Sequence, residues 1–248
     1  MNKRKSAYFT LDDAPSKDFK LKIDYLYKKC IPAIIFCVGN QIANYEEDIL
    51  HAINRGFIIG NHSYSHKHFS DLEIDECFEE IKKTDDILEN LYNKANKVRP
   101  GKYFRFPYLD KGANQNATEY EEKWLHYTNI DKKNIIQNYL KELGYRQPNF
   151  ENINIQWFNE KRMLNDFDTF ITFDQMEYWL GQNNAPWGIS DEKAILNRIE
   201  EDYPNKGRSL NCFDTSDIIL VHDMGETTAL FFKIIDRYLE KGINFILP

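Results

Sequence analysis

Three apolar segments of this chain, residues 6–11, 57–59 and 217–221, end beside polar residues that can do chemistry. Those residues are Asp12 and Asp13, His62 and His66, and His222. Carboxylates and imidazoles bind metal ions and carry protons. Because the carboxyl ends of parallel strands meet at one end of a sheet or barrel, we expect these side chains to meet there. The pattern predicts an enzyme with a metal ion at the mouth of an α/β sheet or barrel.

Asp12 and Asp13 are adjacent acids at the end of a predicted strand. Side chains alternate along a strand, so the two carboxylates are expected to point in different directions. One of them could bind a cation while its neighbour reaches a substrate. The same pair, shortly before Pro15, also fits a helix N-cap or an Asx turn.

His62 and His66 are four residues apart, so on a helical turn they face the same side and could share one ion. Imidazole suits Zn, Co, Ni and Fe, although histidines at this spacing also occur on ordinary surfaces. His222 follows the apolar run 217–221, where it is a candidate general acid or base. A core histidine bonded to the backbone gives the same pattern. In a barrel, we expect His222 to lie opposite the strand end that carries Asp12 and Asp13.

Three further charged residues lie at the ends of apolar segments. Arg105 ends the predicted strand 103–106, where it could orient an acid through an ion pair or lie on the surface. Asp174 and Glu177 follow the apolar residues 170–173, and on their own they could form a solvated turn.

Composition limits the class of protein. The 248 residues suffice for one α/β domain and contain no linker-like segment, so residues 1–248 are expected to form a single domain. A net charge of −7 argues against nucleic-acid binding, which needs a basic face. No transmembrane segment or export signal is visible, and the four cysteines show no CxxC spacing. These features favour a cytoplasmic protein and predict no oligomeric state.

Apolar patterning alternates between strands and helices along the chain. Strands are predicted at residues 6–11, 33–38, 57–59, 103–106, 168–173, 217–221 and 243–247. Helices are predicted at residues 18–30, 46–55, 75–92, 132–143, 192–201 and 228–241. This alternation implies a mainly parallel sheet with right-handed crossovers, and about seven strands can close into an incomplete barrel. The polar residues 109–131 interrupt the pattern, as a long functional or mobile loop would.

Taken together, the motifs resemble those of the NodB-type polysaccharide deacetylases, carbohydrate esterase family 4. That family carries the motifs TFDDGP, H[ST]xxH, RxPYG, DxxDW and LxH in this order. The counterparts here are Thr10-Leu11-Asp12-Asp13-Ala14-Pro15, His62-Ser63-Tyr64-Ser65-His66, Arg105-Phe106-Pro107-Tyr108-Leu109, Asp174-Gln175-Met176-Glu177-Tyr178 and Leu220-Val221-His222. The resemblance extends from residue 6 to residue 248, and the first, second and fifth motifs are specific in combination.

The resemblance implies a distorted (β/α) barrel of about seven parallel strands that holds one divalent transition metal. Zn is the expected metal, with Co or Ni as alternatives, and its implied ligands are Asp13, His62 and His66. Asp12 is then the catalytic base and His222 the catalytic acid. The resemblance also implies that Arg105 orients Asp12 and that Glu177 tethers Arg105 in place of the usual Asp. The backbone N–H of Tyr108 would stabilise the oxyanion, and Leu220 would line the pocket for the acetyl methyl.

Departures from the family motifs bear on the substrate more than on catalysis. Ala14 and Leu109 stand where the family has glycine, and Glu177-Tyr178 stands where it has Asp-Trp. The long segment 109–167 separates the third and fourth motifs and is expected to reshape the substrate cleft.

Three functions fit these observations. The leading one is a metal-dependent hydrolase that removes N-acetyl groups from an N-acetylated amino sugar or glycan. The alternative is an amidohydrolase of the same fold that cleaves a small non-sugar amide. The third is a non-catalytic relative that binds glycan, and the complete set of acids and histidines argues against it.

Overall fold

The structure is a computed structural model that describes residues 5–113, 129–160 and 163–248. Its strands are β1 (Ser6–Ala14), β2 (Ala33–Cys37), β3 (Ile58–Asn61), β4 (Phe173–Asp174), β5 (Asp202–Tyr203), β6 (Arg208–Ser209), β7 (Asp217–His222) and β8 (Asn244–Phe245). The main sheet is parallel, with the order β3-β2-β1-β7-β4 and with β8 paired to the start of β1. β5 and β6 form a separate antiparallel pair.

Helices connect these strands, as the alternating pattern predicts. They are α1 (Phe19–Lys28), α2 (Gly39–Ile42), α3 (Glu46–Asn54), α4 (Ile74–Lys94), α5 (Ile130–Glu142), α6 (Gln156–Glu160), α7 (Glu192–Asn197) and α8 (Thr228–Glu240). Short 3₁₀ turns lie between several of them. Within the described residues, none of the helices combines the length and the apolar character needed to cross a membrane.

Extended segments close the main sheet into a distorted barrel. Beside β3, the Asn61 N–H donates to the Tyr103 carbonyl over 2.8 Å, and the Arg105 N–H donates to the Asn61 carbonyl over 3.0 Å. The Thr169 N–H then donates to the Phe104 carbonyl over 2.7 Å, and the chain continues from there into β4, which pairs with β7. These segments thus connect β3, at one edge of the sheet, with β4, at the other edge. The predicted distorted (β/α) barrel is confirmed.

Three of the predicted strands are shorter than their apolar runs, and one of them is 243–247, which forms only the two-residue β8. Residues 103–106 form only an isolated bridge to Asn61, and residues 168–173 contribute only to the two-residue β4. The main sheet therefore has six strands rather than about seven. Part of the reason is that the carbonyls of Thr169 and Phe170 accept hydrogen bonds from the Arg105 side chain and not from a neighbouring strand.

The central strand β1 separates two apolar layers. Phe9 and Leu11 belong to the main core, which includes residues of α1, α3 and α8. Tyr8 faces the other way and shares a second cluster with Leu220 and with side chains from residues 153–163. Part of the described segment 109–167 thus packs against the inner face of the barrel, whereas its helix α5 packs against α4 on the outside. Residues 114–128 and 161–162 of that segment lie outside the described residues.

Candidate active site

Asp13, His62 and His66 lie together at the carboxyl ends of β1 and β3. The Oδ1 atom of Asp13 is 3.3 Å from His62 Nε2 and 2.9 Å from His66 Nε2. One potential ligand atom from each residue lies within 4.8 Å of the other two. Two imidazoles and one carboxylate are a donor set that suits a transition metal and leaves coordination positions open.

The left-handed backbone of Asp13 brings the carboxylates of Asp12 and Asp13 close to the same histidine nitrogen. Asp13 has a φ of 61°, and the pairing of β1 with β2 is interrupted between Leu11 and Ala14. The side-chain alternation of the strand is lost at that point. The expectation that Asp12 and Asp13 point apart is therefore wrong, since the Asp12 and Asp13 carboxylates lie 3.8 Å and 3.3 Å from the same nitrogen, His62 Nε2.

The two histidines reach the site from an irregular loop and not from a helical turn. His66 has a left-handed backbone with a φ of 58°. His62 is buried, and its Nδ1 lies 2.8 Å from the Arg105 carbonyl oxygen. A carbonyl oxygen only accepts, so Nδ1 is the donor in this contact, and Nε2 is the ring nitrogen that faces Asp13. Metal-binding histidines are held in this way by a second partner.

The Oδ1 atom of Asp13 is buried and has no hydrogen-bond donor in the described part of the chain. Burial opposes its ionisation, but the two imidazoles and the positive charge of His222 outweigh burial and hold the pKa of Asp13 well below its usual range. A buried anionic oxygen is costly unless a positive partner compensates it. The charge on Asp13 and the two imidazole nitrogens that face it therefore fit a divalent cation between these residues.

Asp12 forms a buried ion pair with Arg105. The Nη1 atom of Arg105 donates to Asp12 Oδ1 over 2.7 Å and to Thr10 Oγ1 over 2.8 Å, and both charged side chains are almost fully buried. The predicted partner of Asp12 is thus in place. Thr10 was missed, although its position two residues before Asp12 on the same face of β1 could have indicated it.

Glu177 contacts His222 and not Arg105. Its Oε1 atom lies 3.0 Å from His222 Nδ1 and also accepts the backbone N–H of His222. The predicted tether between Glu177 and Arg105 is wrong, because the Arg105 guanidinium is taken up by Thr10, Asp12 and the backbone carbonyls of residues 169 and 170.

The contact with Glu177 sets the charge of His222. Burial opposes protonation, but the attraction and hydrogen bond of Glu177, with the charges of Asp13 and Asp174, outweigh it and raise the pKa of His222 to about 10. His222 is therefore protonated at neutral pH. Because Nδ1 faces Glu177, the second ring nitrogen, Nε2, is the one placed to give a proton to a substrate.

Asp174 and Tyr178 form the surroundings of His222. The Tyr178 hydroxyl donates to Asp174 Oδ2 over 2.9 Å, and the Tyr178 ring packs edge-on against the His222 imidazole with centroids 4.7 Å apart. Burial raises the pKa of Asp174 to about 6 despite the nearby positive charges of His222 and Arg198. Tyr178 thus occupies the position of the family's tryptophan and keeps an aromatic wall beside the imidazole.

Tyr108 contacts His66, and Leu220 lies two residues before His222 on β7. Tyr108 has a left-handed backbone, and its half-exposed ring stacks on His68 at 3.8 Å and packs edge-on against His66 at 4.7 Å. Leu109 is also left-handed, with a φ of 56°, where the family has glycine. Its side chain is buried in the same apolar cluster as Leu220, so packing compensates the backbone strain.

Sequence comparison bears directly on this centre. Residues 1–130 match the polysaccharide deacetylase family, and this stretch contains Asp12, Asp13, His62, His66 and Arg105. The chain belongs to this family. Among family proteins, a peptidoglycan-N-acetylglucosamine deacetylase of Bacillus cereus is 36% identical over 93 residues, which make up 37% of this chain and 34% of that protein. The chain therefore matches only about a third of the length of this curated relative.

Solved structures of polysaccharide deacetylases share the fold over nearly the whole chain. The peptidoglycan deacetylase PdaC of Bacillus subtilis has a TM-score of 0.57 at 21% identity, and the match covers 98% of this chain and 87% of that one. A carbohydrate esterase family 4 pseudoenzyme of Bacillus anthracis has a TM-score of 0.59 at 17% identity, covering 99% and 64%. At these identities the likeness shows the fold alone.

Proposed function

We propose that this polysaccharide deacetylase family member is a metal-dependent hydrolase that removes N-acetyl groups from an amino sugar or glycan. The observation that carries the proposal is the grouping of Asp13, His62 and His66 beside Asp12, which Arg105 holds in place, and a protonated His222. A hydrolase that cleaves an amide needs a bound metal or equivalent electrophile, a base and an acid. All three can be assigned to residues of this one site.

Asp13, His62 and His66 are the residues that would hold the ion. Nitrogen-rich donor sets favour Zn, Co or Ni over Mg or Ca, which prefer oxygen. When bound, such an ion polarises the amide carbonyl and lowers the pKa of a water to about 7.

Asp12 serves as the base that takes a proton from the attacking water. Arg105 donates a hydrogen bond to Asp12 Oδ1, which fixes the orientation of the carboxylate. The other oxygen, Oδ2, lies 3.8 Å from His62 Nε2 and so faces the ligand group. Proton transfer to Oδ2 leaves the hydroxide equivalent to form the new C–O bond to the acyl carbon.

His222 serves as the acid that makes the amine a leaving group. An amide nitrogen leaves poorly as an anion, so a proton must reach it as the C–N bond breaks. Glu177 holds His222 protonated through Nδ1, and Nε2 delivers the proton to the departing amine. One water is consumed, and the products are acetate and the free amine.

Two further residues contribute to substrate contact in this proposal. The backbone N–H of Tyr108 stabilises the oxyanion that develops on the acyl oxygen. Leu220, buried on the inner side of β7, lines the pocket for the acetyl methyl. An acetyl group on a sugar nitrogen is also what the curated relative's name describes, which supports the choice of substrate class.

Acetate release from a panel of compounds tests the proposal. The panel contains N-acetylglucosamine, its oligomers, N-acetylated peptidoglycan fragments and small non-sugar amides, each assayed with the metal-free protein and after adding Zn²⁺ or Co²⁺. We expect metal-dependent acetate release from the sugars or glycans. Release from the small amides alone would replace this proposal with the amidohydrolase, and no release from any compound would favour a glycan-binding protein.

A further inference from the structure

The loop between the two candidate metal ligands His62 and His66 is held by side chains. Each of its four backbone N–H groups donates to a side-chain oxygen. The acceptors are Asn61 Oδ1 for Ser63 at 2.9 Å, Glu80 Oε2 for Tyr64 at 2.9 Å and for Ser65 at 2.7 Å, and Ser63 Oγ for His66 at 3.1 Å. Two residues of the loop, Ser63 and His66, have left-handed backbones.

Glu80 is the one of these acceptors that lies far from the loop in the sequence. It lies on α4, is half-buried, and also accepts the Ser65 hydroxyl through Oε1 at 2.6 Å. One carboxylate therefore takes three donors from two consecutive loop residues. Consecutive backbone N–H groups form a favourable cradle for an anion, and hydrogen bonds to a charged acceptor are stronger than neutral ones.

The position of His66 depends on the hydrogen bonds that Glu80 accepts from the loop. A non-glycine residue in the left-handed region costs free energy unless its surroundings hold it there. Ser65 precedes His66 directly, and two of the three hydrogen bonds of Glu80 go to Ser65. These two hydrogen bonds hold Ser65 to α4. They thereby fix the residue that precedes His66, whose Nε2 lies 2.9 Å from Asp13 Oδ1.

We propose that Glu80 is a positioning residue of the metal centre, which acts by shaping the His62–His66 loop from α4 before any ion is bound. The inference rests on the proposed metal site and adds a residue outside the family motifs identified in the sequence. The neighbouring Glu79 provides a matched control, because it has the same charge on the same helix but is exposed and pairs with Lys83 at 2.8 Å.

The experiment compares Glu80→Ala, Glu80→Gln and Glu79→Ala with the unmodified protein. Two quantities are measured: hydrogen exchange of the Tyr64 and Ser65 amides in the metal-free protein by NMR, and the dissociation constant for Zn²⁺ by competition with a chelator. For Glu80→Ala we expect faster exchange at both amides and roughly 10–100-fold weaker Zn²⁺ binding, as for other residues that orient metal ligands. Glu80→Gln keeps one carbonyl oxygen and should lose less, while Glu79→Ala should behave like the unmodified protein.

Unchanged amide exchange and unchanged Zn²⁺ affinity in both Glu80 variants would overturn the inference while leaving the proposed function intact. A protein that binds no Zn²⁺ before any substitution would overturn the metal centre and the role of Glu80 with it. Chemical denaturation of each variant shows whether it is folded, and if Glu80→Ala is not, Glu80→Gln decides between these outcomes.

Discussion

Asp12 and His222 are register partners on the neighbouring parallel strands β1 and β7. Residues paired in this way point to the same face of a sheet, so the proposed base and acid stand side by side. The Asp223 N–H donates to the Asp12 carbonyl over 2.8 Å and fixes the two strand ends together. The expectation that His222 lies opposite the Asp12 strand is therefore wrong, and the two proton carriers can approach one substrate bond from adjacent positions.

Replacing the base separates catalysis from metal binding. Asp12→Asn keeps one oxygen that can accept from Arg105 but removes the group that takes a proton, so acetate release should fall by ~10²–10⁴-fold. Zn²⁺ binding should persist, because Asp13, His62 and His66 are unchanged. Asp13→Asn is the counterpart and should lose the ion. If Asp12→Asn loses Zn²⁺ while Asp13→Asn retains it, the two acids have exchanged roles.

The acid is tested by the leaving group. His222→Ala should remove most of the activity towards an N-acetyl amide, because the amine leaves only when protonated. An activated acetate ester has a good leaving group, so its hydrolysis should be affected much less. Rates for both substrates are compared at the same pH and with the same metal. Equal losses on the two substrates would mean that His222 maintains the site instead of donating a proton.

The charge of Glu177 should set the alkaline limit of activity. The pKa of His222 is raised to about 10, so the protonated acid is present below that pH and is lost as pH rises through it. Glu177→Gln removes the attraction that raises this pKa, and the alkaline limb of the rate profile should move to lower pH. The rate well below the new limb should change less than the rate above it. A profile whose alkaline limb stays in place would show that another group, such as a titrating water, governs it.

A buried ion pair behind the site should matter for stability. Lys22 Nζ lies 2.6 Å from Asp223 Oδ1 with both side chains fully buried, and Asp223 also accepts the N–H and hydroxyl of Ser16. Lys22→Ala leaves the Asp223 charge unpaired in the interior, which typically costs about 3–5 kcal/mol in the free energy of unfolding. Urea denaturation measures this loss. The exposed pair of Lys20 with Asp24 is the control, and Lys20→Ala should leave the denaturation midpoint nearly unchanged.

Sequence patterns predicted which residues form the site because each stands where an apolar strand ends. The run from Asp217 to Val221 places His222 at a strand terminus whatever the order of strands in the sheet. That β7 pairs with β1 could not be predicted in the same way, since it depends on contacts between residues about 200 positions apart. The same limit applies to Lys22 and Asp223, whose pairing joins α1 to the end of β7.

Local backbone geometry and side-chain reach account for the other errors. The left-handed conformation of Asp13 is unusual for a residue other than glycine, and the alternation rule for strands predicted the opposite arrangement. The partner of Glu177 depends on which acceptors already take the hydrogen bonds that Arg105 donates, and a motif match does not contain that information.

Titration of the metal-free protein tests the central claim most directly. Zn²⁺ or Co²⁺ is added stepwise while bound ion per chain and acetate release from an N-acetylglucosamine oligomer are measured together. The account predicts that both saturate at about one ion per chain, that His62→Ala and His66→Ala lose both, and that His51→Ala, whose imidazole pairs with Asp24 elsewhere, retains both. A protein that binds no ion after loading with Zn²⁺ or Co²⁺, or that releases acetate equally well without one, would contradict it.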